Sequence, residues 1–458
     1  MKHLLFVAGF GGPPLDFGLP RVKALGKLHV LHSDTLAKSK VEAIGRHADV
    51  QLARSFGSEA ELEQHLLEAI DNYRIDAVLT TDEFSIGPVS RAAYKRRLRG
   101  AGPHIHLARN KWAMRNAFEA AGVRNPNFRR VRSLHDLETA ADALRLPAVL
   151  KPTEGAASIG HTILQTGDDL QSVWEYNSSF LRTLATGRSV GAIGGFAEPE
   201  FILEEFIEAS TGSWYDNATF GDMVSVEGLV IGGDYHPIAV TSKYPLAPPF
   251  TEVGQITPCV LPLAKQQQII DFARRAVEAQ QLDTCATHTE IKLQAHGELC
   301  MVESAARTPG ALMTRQILEV FGIDMIGLLG RALLGETMDV PSFQHEQVHA
   351  AAGPVAIISL TPAGERWRHY PAINKALDLT VYLPPAVEFE IAWGSDYEDG
   401  DPVKPYDPKL GTPNYIANVF LRAPTVELLI EAQQILMSQS ERIFTAQGSQ
   451  PTEALKAN

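Results

Sequence analysis

The chain has 458 residues, 45% hydrophobic and 21% charged, with a net charge of −13. That length accommodates about three domains of ~150 residues, each large enough for its own core. The acidic balance argues against a nucleic-acid or anionic-membrane surface, which needs clustered Lys and Arg, and points to small molecules or proteins as partners.

Three cysteines, Cys259, Cys285 and Cys300, lack CxxC spacing, so neither a disulfide framework nor a zinc site is implied, and a reducing cytoplasm fits best. No apolar run approaches the roughly 18 residues of a membrane span, and the N-terminal MKHLLFVAGFGGPP lacks a small-residue cleavage site.

Residues 1–107 alternate short apolar runs with helical patterns: LLFVAG, KLHVLHSD, ADVQLA, a helix near Glu59–Asn72, IDAVLTTDEF, a helix near Pro88–Leu98, and HIHLA as a last strand. This βαβ alternation predicts a small parallel sheet with helices on its faces. Ligands of such sheets sit at the carboxyl ends of strands, which places Asp82 and Glu83 beside a crevice or, equally, at the cap of the next helix. GFGGPP fails as a dinucleotide fingerprint because Pro14 stands at the last glycine position, which counts against a nicotinamide dehydrogenase.

A second unit, residues 108–206, opens with Asn110 as N-cap of a helix that buries Met114 and Phe118 and stops at Gly122. A helix over Ser133–Arg145 precedes PAVLKPTEGAASIGHTILQT, which reads as strand, lysine, small-residue loop, strand. Small residues let backbone N–H groups approach phosphate oxygens while Lys151 supplies a charge, although a surface turn has the same composition. FILEEFI reads as a buried strand running into an extended hinge.

Residues 207–340 hold a polar loop, a hairpin turning at Gly232-Gly233-Asp234, a proline-rich stretch (Tyr244–Pro262) expected to lie over the site, and a helix over Ala264–Gln280. A further hairpin, THTEIKLQAHGELCMVESAARTPG, follows. A two-residue turn at His296-Gly297 pairs Lys292 with Met301, Glu290 with Glu303 and His288 with Ala305, and puts Ile291, Leu293, Cys300 and Val302 on the apolar face. Opposed carboxylates repel by up to about 1 kcal/mol, which a divalent cation offsets; an all-oxygen set suits Mg2+. Two coincidental glutamates on a solvated face are the alternative.

Residues 341–458 carry the strand-like runs GPVAIISL, LTVYLPP and YIANVFLRA, a solvated acidic loop without calcium-loop spacing, a helix over Thr425–Phe444, and a frayed tail after Gln447.

Taken in order, Lys111, Lys151 with its small-residue loop, the EEFI hinge and the Glu290/Glu303 hairpin followed by Arg307 resemble the ATP-grasp superfamily over nearly the whole chain. SVEGLV, AVTSK, FTEVGQITP, HTEIKL and ESAARTPG look most like its dipeptide-forming L-amino acid ligases, of the bacilysin-synthesising type.

The resemblance implies an α/β and α+β architecture: an N-terminal Rossmann-like parallel-sheet domain, a central ATP-grasp lobe and a C-terminal antiparallel-sheet lobe. It implies that Lys111, Lys151, Ala157, Ser158 and the hinge Glu204, Glu205, Phe206 and Ile207 bind ATP. Glu290 and Glu303 are implied to hold Mg2+, with Mn2+ as a substitute. Arg307 is implied to be catalytic, and Glu83, Glu252, Thr308, Pro309 and Gly310 to line the amino-acid pocket with it.

Two departures stand out. Ala305 replaces an asparagine that often helps hold a second metal, and Gln255 replaces a frequent pocket histidine. The expected reaction is amide formation between two amino acids through an acyl phosphate, with ADP and phosphate released. A biotin-carboxylase-like carboxylase or purine-pathway ligase is the alternative, and a nucleotide-sensing protein without turnover a third. The resemblance is compatible with a homodimer.

Overall fold

The computed structural model describes residues 1–9, 11–186, 199–310, 312–341, 343, 351–394 and 397–448. Strands β1 (His3–Ala8), β2 (Lys27–Ser33), β3 (Val50–Arg54) and β4 (Ala77–Thr80) form a parallel sheet in the order β3-β2-β1-β4. Strand β1 is buried along nearly its whole length, as expected when both sheet faces are covered. Helices α1 (Leu15–Lys23), α2 (Lys38–His47), α3 (Glu59–Tyr73) and α4 (Ile86–Lys95) supply the cover. Leu5 and Val7 pack with Leu66 and Ile70 of α3, while Leu4 and Phe6 face the other way, toward Ile317 and Ile326 from far along the chain.

HIHLA is not a strand. His106–Arg109 forms a short helix, α5, because Ile105 and Ala108, three residues apart, are both buried.

The next sheet is antiparallel, with β5 (Phe128–Val131), β6 (Ala148–Pro152), β7 (Thr162–Leu164) and β8 (Phe201–Glu205) in the order β5-β8-β6-β7. Its helices are α6 (Lys111–Ala120), α7 (Leu134–Ala143) and α8 (Leu170–Thr186). Asn110 caps α6 through its side chain, as predicted, and Ser133, expected to open its helix, caps α7 in the same way.

A five-stranded antiparallel sheet follows, in the order β11-β10-β9-β12-β13: β9 (Met223–Ile231), β10 (Asp234–Lys243), β11 (Gln255–Ile256), β12 (Cys285–Leu293) and β13 (Leu299–Ala305). The β9–β10 turn needs positive φ at both central positions, which Gly232 (60°) and Gly233 (90°) provide. Helix α9 (Leu263–Ala279) covers one face, packing Ile269, Ile270 and Ala273 against Val226, Val240 and Ile291. Helices α10 (Met313–Phe321) and α11 (Met325–Leu334) then reach back to the N-terminal sheet.

The β12–β13 hairpin differs from expectation in two places that cancel. Its loop is a turn over Ala295–Gly297, closed by Gln294 N–H donating to the Glu298 carbonyl at 2.9 Å, and so is one residue longer than predicted. Ile291 therefore faces Met301 and Lys292 faces Cys300. A β-bulge then inserts Val302 opposite no partner and restores the register, so Glu290 faces Glu303 and His288 faces Ala305. Val302 leaves the apolar face and lines the cavity described below.

The last sheet joins β14 (Ala351–Ile357), β15 (Glu388–Trp393) and β16 (Ala417–Ala423) in the order β14-β16-β15, backed by α12 (Val426–Gly448). LTVYLPP is turns, not a strand: the Asp378 side chain accepts the Thr380 N–H at 2.9 Å, and Leu379 O accepts from Tyr382 and Leu383. EFEIAW takes its place in the sheet. Of the tail predicted after Gln447, Gly448 ends α12 and residues 449–458 lie outside the described residues. Among the described residues no helix is long and apolar enough to cross a membrane.

Candidate active site

One cavity of about 1510 Å3 runs between the sheets. Of the sequence-predicted site residues, Glu83, Lys111, Lys151, Ala157, Ser158, Glu204, Glu205, Phe206, Ile207, Glu252, Glu290, Glu303, Arg307 and Gly310 line it. Thr308 and Pro309 do not; both are buried behind the wall, where the Thr308 carbonyl accepts from Arg307 Nη1 at 3.0 Å. Gln255 and Ala305, the two departures, are in the wall.

Lys111 opens α6, where its backbone N–H donates to Thr153 O at 2.7 Å and ties the helix start to the end of β6. Its ammonium lies 3.3 Å from Gly155 O and 3.5 Å from the Glu303 carboxylate. Lys151, on β6, donates to Glu204 on the neighbouring β8 at 2.6 Å. Arg115 grips the same carboxylate in a bidentate pair at 2.8 and 3.0 Å. Burial pushes the Glu204 carboxyl up, but Arg115 and Lys151 outweigh it and hold the group at about 2. Burial also pulls the Lys151 ammonium down, with Glu204 opposing.

Glu204 is therefore committed to protein cations, and Glu205 accepts from Asn127 Nδ2 and the Arg145 N–H, each at 3.0 Å. The hinge backbone is not wholly free either, since the Phe206 N–H donates to Pro147 O at 3.1 Å.

The loop from Gly155 to Gly160 covers these lysines. Ala157 (φ 60°) and Ser158 (φ 58°) both adopt the left-handed region, which costs a non-glycine residue of order 1–3 kcal/mol and persists only when neighbours enforce it. The enforcing contacts come from the C-terminal lobe and from the proline-rich stretch at 244–262. Gly160 N–H donates to Lys409 O at 3.2 Å, Thr412 N–H to Ala157 O at 3.3 Å, and Ser158 Oγ to Phe250 O at 3.2 Å. Gly411 sits so close that a Cβ there would lie 1.9 Å from the Ala157 carbonyl oxygen.

At the floor, Glu290 and Glu303 face one another on β12 and β13 and remain partly accessible, 19% and 21% exposed. Two opposed carboxylates in a cavity wall form a hard oxygen set suited to Mg2+. Ala305 contributes no donor, so other ligands would come from phosphate and water.

A chain of alternating charge that the sequence reading missed lies behind Glu290. Glu227, fully buried on β9, accepts from His288 Nδ1 at 2.9 Å; His288 Nε2 lies 3.3 Å from Glu290; Lys243 donates to Glu290 at 2.9 Å and to Glu252 at 2.5 Å. Burial disfavours the His288 cation, yet Glu227 outweighs it and lifts the imidazole to about 9. Burial raises the Glu252 carboxyl, Lys243 opposing. A signal was present: Glu227 is an ionisable residue inside a largely apolar strand, and His288 and Glu290 share one face by period two.

Arg307 Nε donates to Glu83 Oε2 at 2.5 Å, and Arg109 Nη1 donates to Glu83 Oε1 at 2.6 Å. The end of β4 is thereby joined to the residue that follows the acid hairpin. Arg109 was also missed, because its stretch was read as a strand.

Residues 144–315 match the family described as ATP-grasp domain. The chain is 35% identical over 291 residues to alanine–anticapsin ligase of Bacillus amyloliquefaciens, an alignment spanning 63% of this chain and 60% of that relative's length. Its fold is similar to that of an L-amino acid ligase from Bacillus licheniformis, with a TM-score of 0.73 at 20% identity over 95% of this chain and 97% of the other. The biotin carboxylase domain of Hydrogenobacter thermophilus 2-oxoglutarate carboxylase, solved with MgADP and bicarbonate, superposes with a TM-score of 0.65 at 15% identity, covering 93% of this chain and 88% of that one. Residues 144–315 are thus similar to the ATP-grasp domain family, within a chain whose fold is similar to that of the L-amino acid ligase and the biotin carboxylase domain.

Proposed function

We propose that the protein is an ATP-dependent ligase that joins two amino acids, or an amino acid and a related amine, through an acyl phosphate. The observation that carries this reading is the meeting of Arg307 and Glu83 in the cavity that also holds Lys111, Lys151 and the Glu290/Glu303 pair. The likeness to alanine–anticapsin ligase supports it.

In this reading Lys111 and Lys151 bind the phosphates of ATP while the Gly155–Gly160 loop covers them. Glu290 and Glu303 hold Mg2+, which neutralises phosphate charge when bound. A substrate carboxylate oxygen bonds to the γ-phosphorus and ADP leaves. The free amine of the second substrate then bonds to the acyl carbon and phosphate departs, the amine's surplus proton passing to phosphate or water.

Arg307 stabilises the oxyanion that develops at the acyl carbon, and Glu83, held by Arg109, orients the guanidinium. Closing the loop keeps water from the acyl phosphate. The cavity exceeds the ~300–1,000 Å3 of an ordinary ligand pocket, as a nucleotide plus two small substrates requires.

Incubation with ATP, Mg2+ and a panel of amino-acid pairs, phosphate release being followed and products weighed by mass spectrometry, tests the reading. Pair-dependent ADP and a product lighter than the pair by one water are expected. Bicarbonate- or formate-dependent ADP release, or AMP as the product, would overturn it.

A further inference from the structure

Joining two amino acids consumes one carboxylate and leaves the other, that of the amine donor, as a free anion in a chain of net charge −13. Such a substrate needs a cation that no protein carboxylate already holds. Four of the cavity-lining cations are occupied: Lys111 by Glu303, Lys151 by Glu204, Lys292 by Asp222 and Arg307 by Glu83. Lys404 is exposed and lies over the Tyr397 ring. Lys40 is half-buried, and its ammonium donates to the Gly9 carbonyl at 2.8 Å, with no carboxylate in salt-bridge range among the described residues.

The surroundings of Lys40 offer hydrogen-bond donors to an anion, while the buried Asp82 carboxylate also acts on its charge from beyond salt-bridge range. It belongs to the first turn of α2, whose N-cap Ala37 offers no side-chain cap to the helix's leading N–H groups. Ser33, at the end of β2, and Thr35 bring two hydroxyls to the same wall, 2.8 Å apart. Gly11, at φ 83°, has no atom of the described residues beyond its chain neighbours within 4 Å of where its Cβ would be. This place is also next to the chemistry: a Cβ on Gly9 would lie 2.3 Å from Asp82 Oδ2, and the residue after Asp82 is Glu83, the partner of Arg307.

We propose that Lys40, with the Ser33 and Thr35 hydroxyls and the start of α2, forms a subsite for the carboxylate of the amine-donating substrate. The assignment rests on the ligase reading and goes beyond it by saying which end of the cavity holds the second substrate, and by what group.

The test uses an activated amino acid found in the panel, with the standard L-amino acids as amine donors, each beside its own carboxamide. A carboxamide lacks the carboxylate that ATP activates, so it enters only as the amine donor. Wild-type protein is expected to favour the acid over the amide. Lys40→Met should raise the KM of the amine-donating acid by about tenfold or more, as loss of a hydrogen bond to a charged group does. It should erase the preference for the acid while leaving the KM values of ATP and of the activated substrate unchanged, and Lys40→Arg should retain the preference.

An unaltered acid-over-amide preference in Lys40→Met would overturn the subsite. Failure of the wild-type protein to join any pair is a different result and overturns the ligase reading. In that event, labelling of Lys40 by trinitrobenzenesulfonate, read by peptide mass, still decides the subsite: protection by amino acids and not by their amides supports it, and equal labelling refutes it.

Discussion

Glu83 and Arg307, 224 residues apart in sequence, are joined by a hydrogen bond of 2.5 Å, and Arg109 holds the other oxygen of the same carboxylate. One glutamate thus couples the end of a parallel strand to the exit of the antiparallel hairpin, and the guanidinium is oriented before any substrate arrives. Arg307→Ala should lower kcat by about 10²–10³, the loss seen when one oxyanion donor is removed. Binding of ATP, measured by titration, should change little. Near-wild-type turnover in Arg307→Ala would remove the arginine from the chemistry.

Glu303→Ala should abolish amide formation and release Lys111 from its carboxylate. Chelation of Mg2+ should stop the wild-type reaction, and adding back Mg2+ or Mn2+ should restore it. If Glu303→Ala kept the wild-type dependence on Mg2+ concentration, the metal floor would have to be placed elsewhere.

Gly411→Ala should disturb the loop at residues 155–160 from a distance. Gly411 has φ 58° and ψ −126°, a conformation that side chains strain, and a methyl group there would drive into the Ala157 carbonyl. The loop should shift, with a several-fold rise in the KM of ATP, faster limited proteolysis between residues 155 and 160, and a cost of order 1–3 kcal/mol. Unchanged proteolysis would mean that the loop keeps its shape without the C-terminal lobe.

The Glu204 triad predicts a dependence of stability on acid. The folded carboxyl sits at about 2, below its ordinary 4.5, so its contribution is complete above about 4.5 and is lost as pH falls toward 2. Glu204→Gln strands Arg115 and Lys151 without a counter-ion, at a cost of about 3–5 kcal/mol near neutral pH. The gap between wild type and variant in urea denaturation should narrow between pH 4.5 and pH 3. A constant gap would show that the triad does not titrate in this window.

Much of the candidate site was legible because its residues announce themselves locally: a lysine ending an apolar strand, small residues after it, paired acids on a hairpin. What escaped was set by contacts distant in sequence. Gly411 and Lys409 shape the loop at 155–160 from the C-terminal lobe, and a single chain read by periodicity contains no trace of that meeting. The run 104–108 was misread because apolar residues separated by one polar position mimic period two, whereas Ile105 and Ala108 are buried three apart. LTVYLPP failed for another reason: the Asp378 side chain offered the backbone a turn that propensity scales do not weigh.

The Val302 bulge has a mechanical consequence. Because it absorbs one residue between the loop and the acid pair, the outer end of the hairpin is uncoupled in register from its inner end. Either loop length, two residues without the bulge or three with it, leaves Glu290 opposite Glu303. The hairpin tip is thus a tolerant handle on an intolerant floor, a place where a fluorophore or a short epitope could be installed to report on the site without moving it.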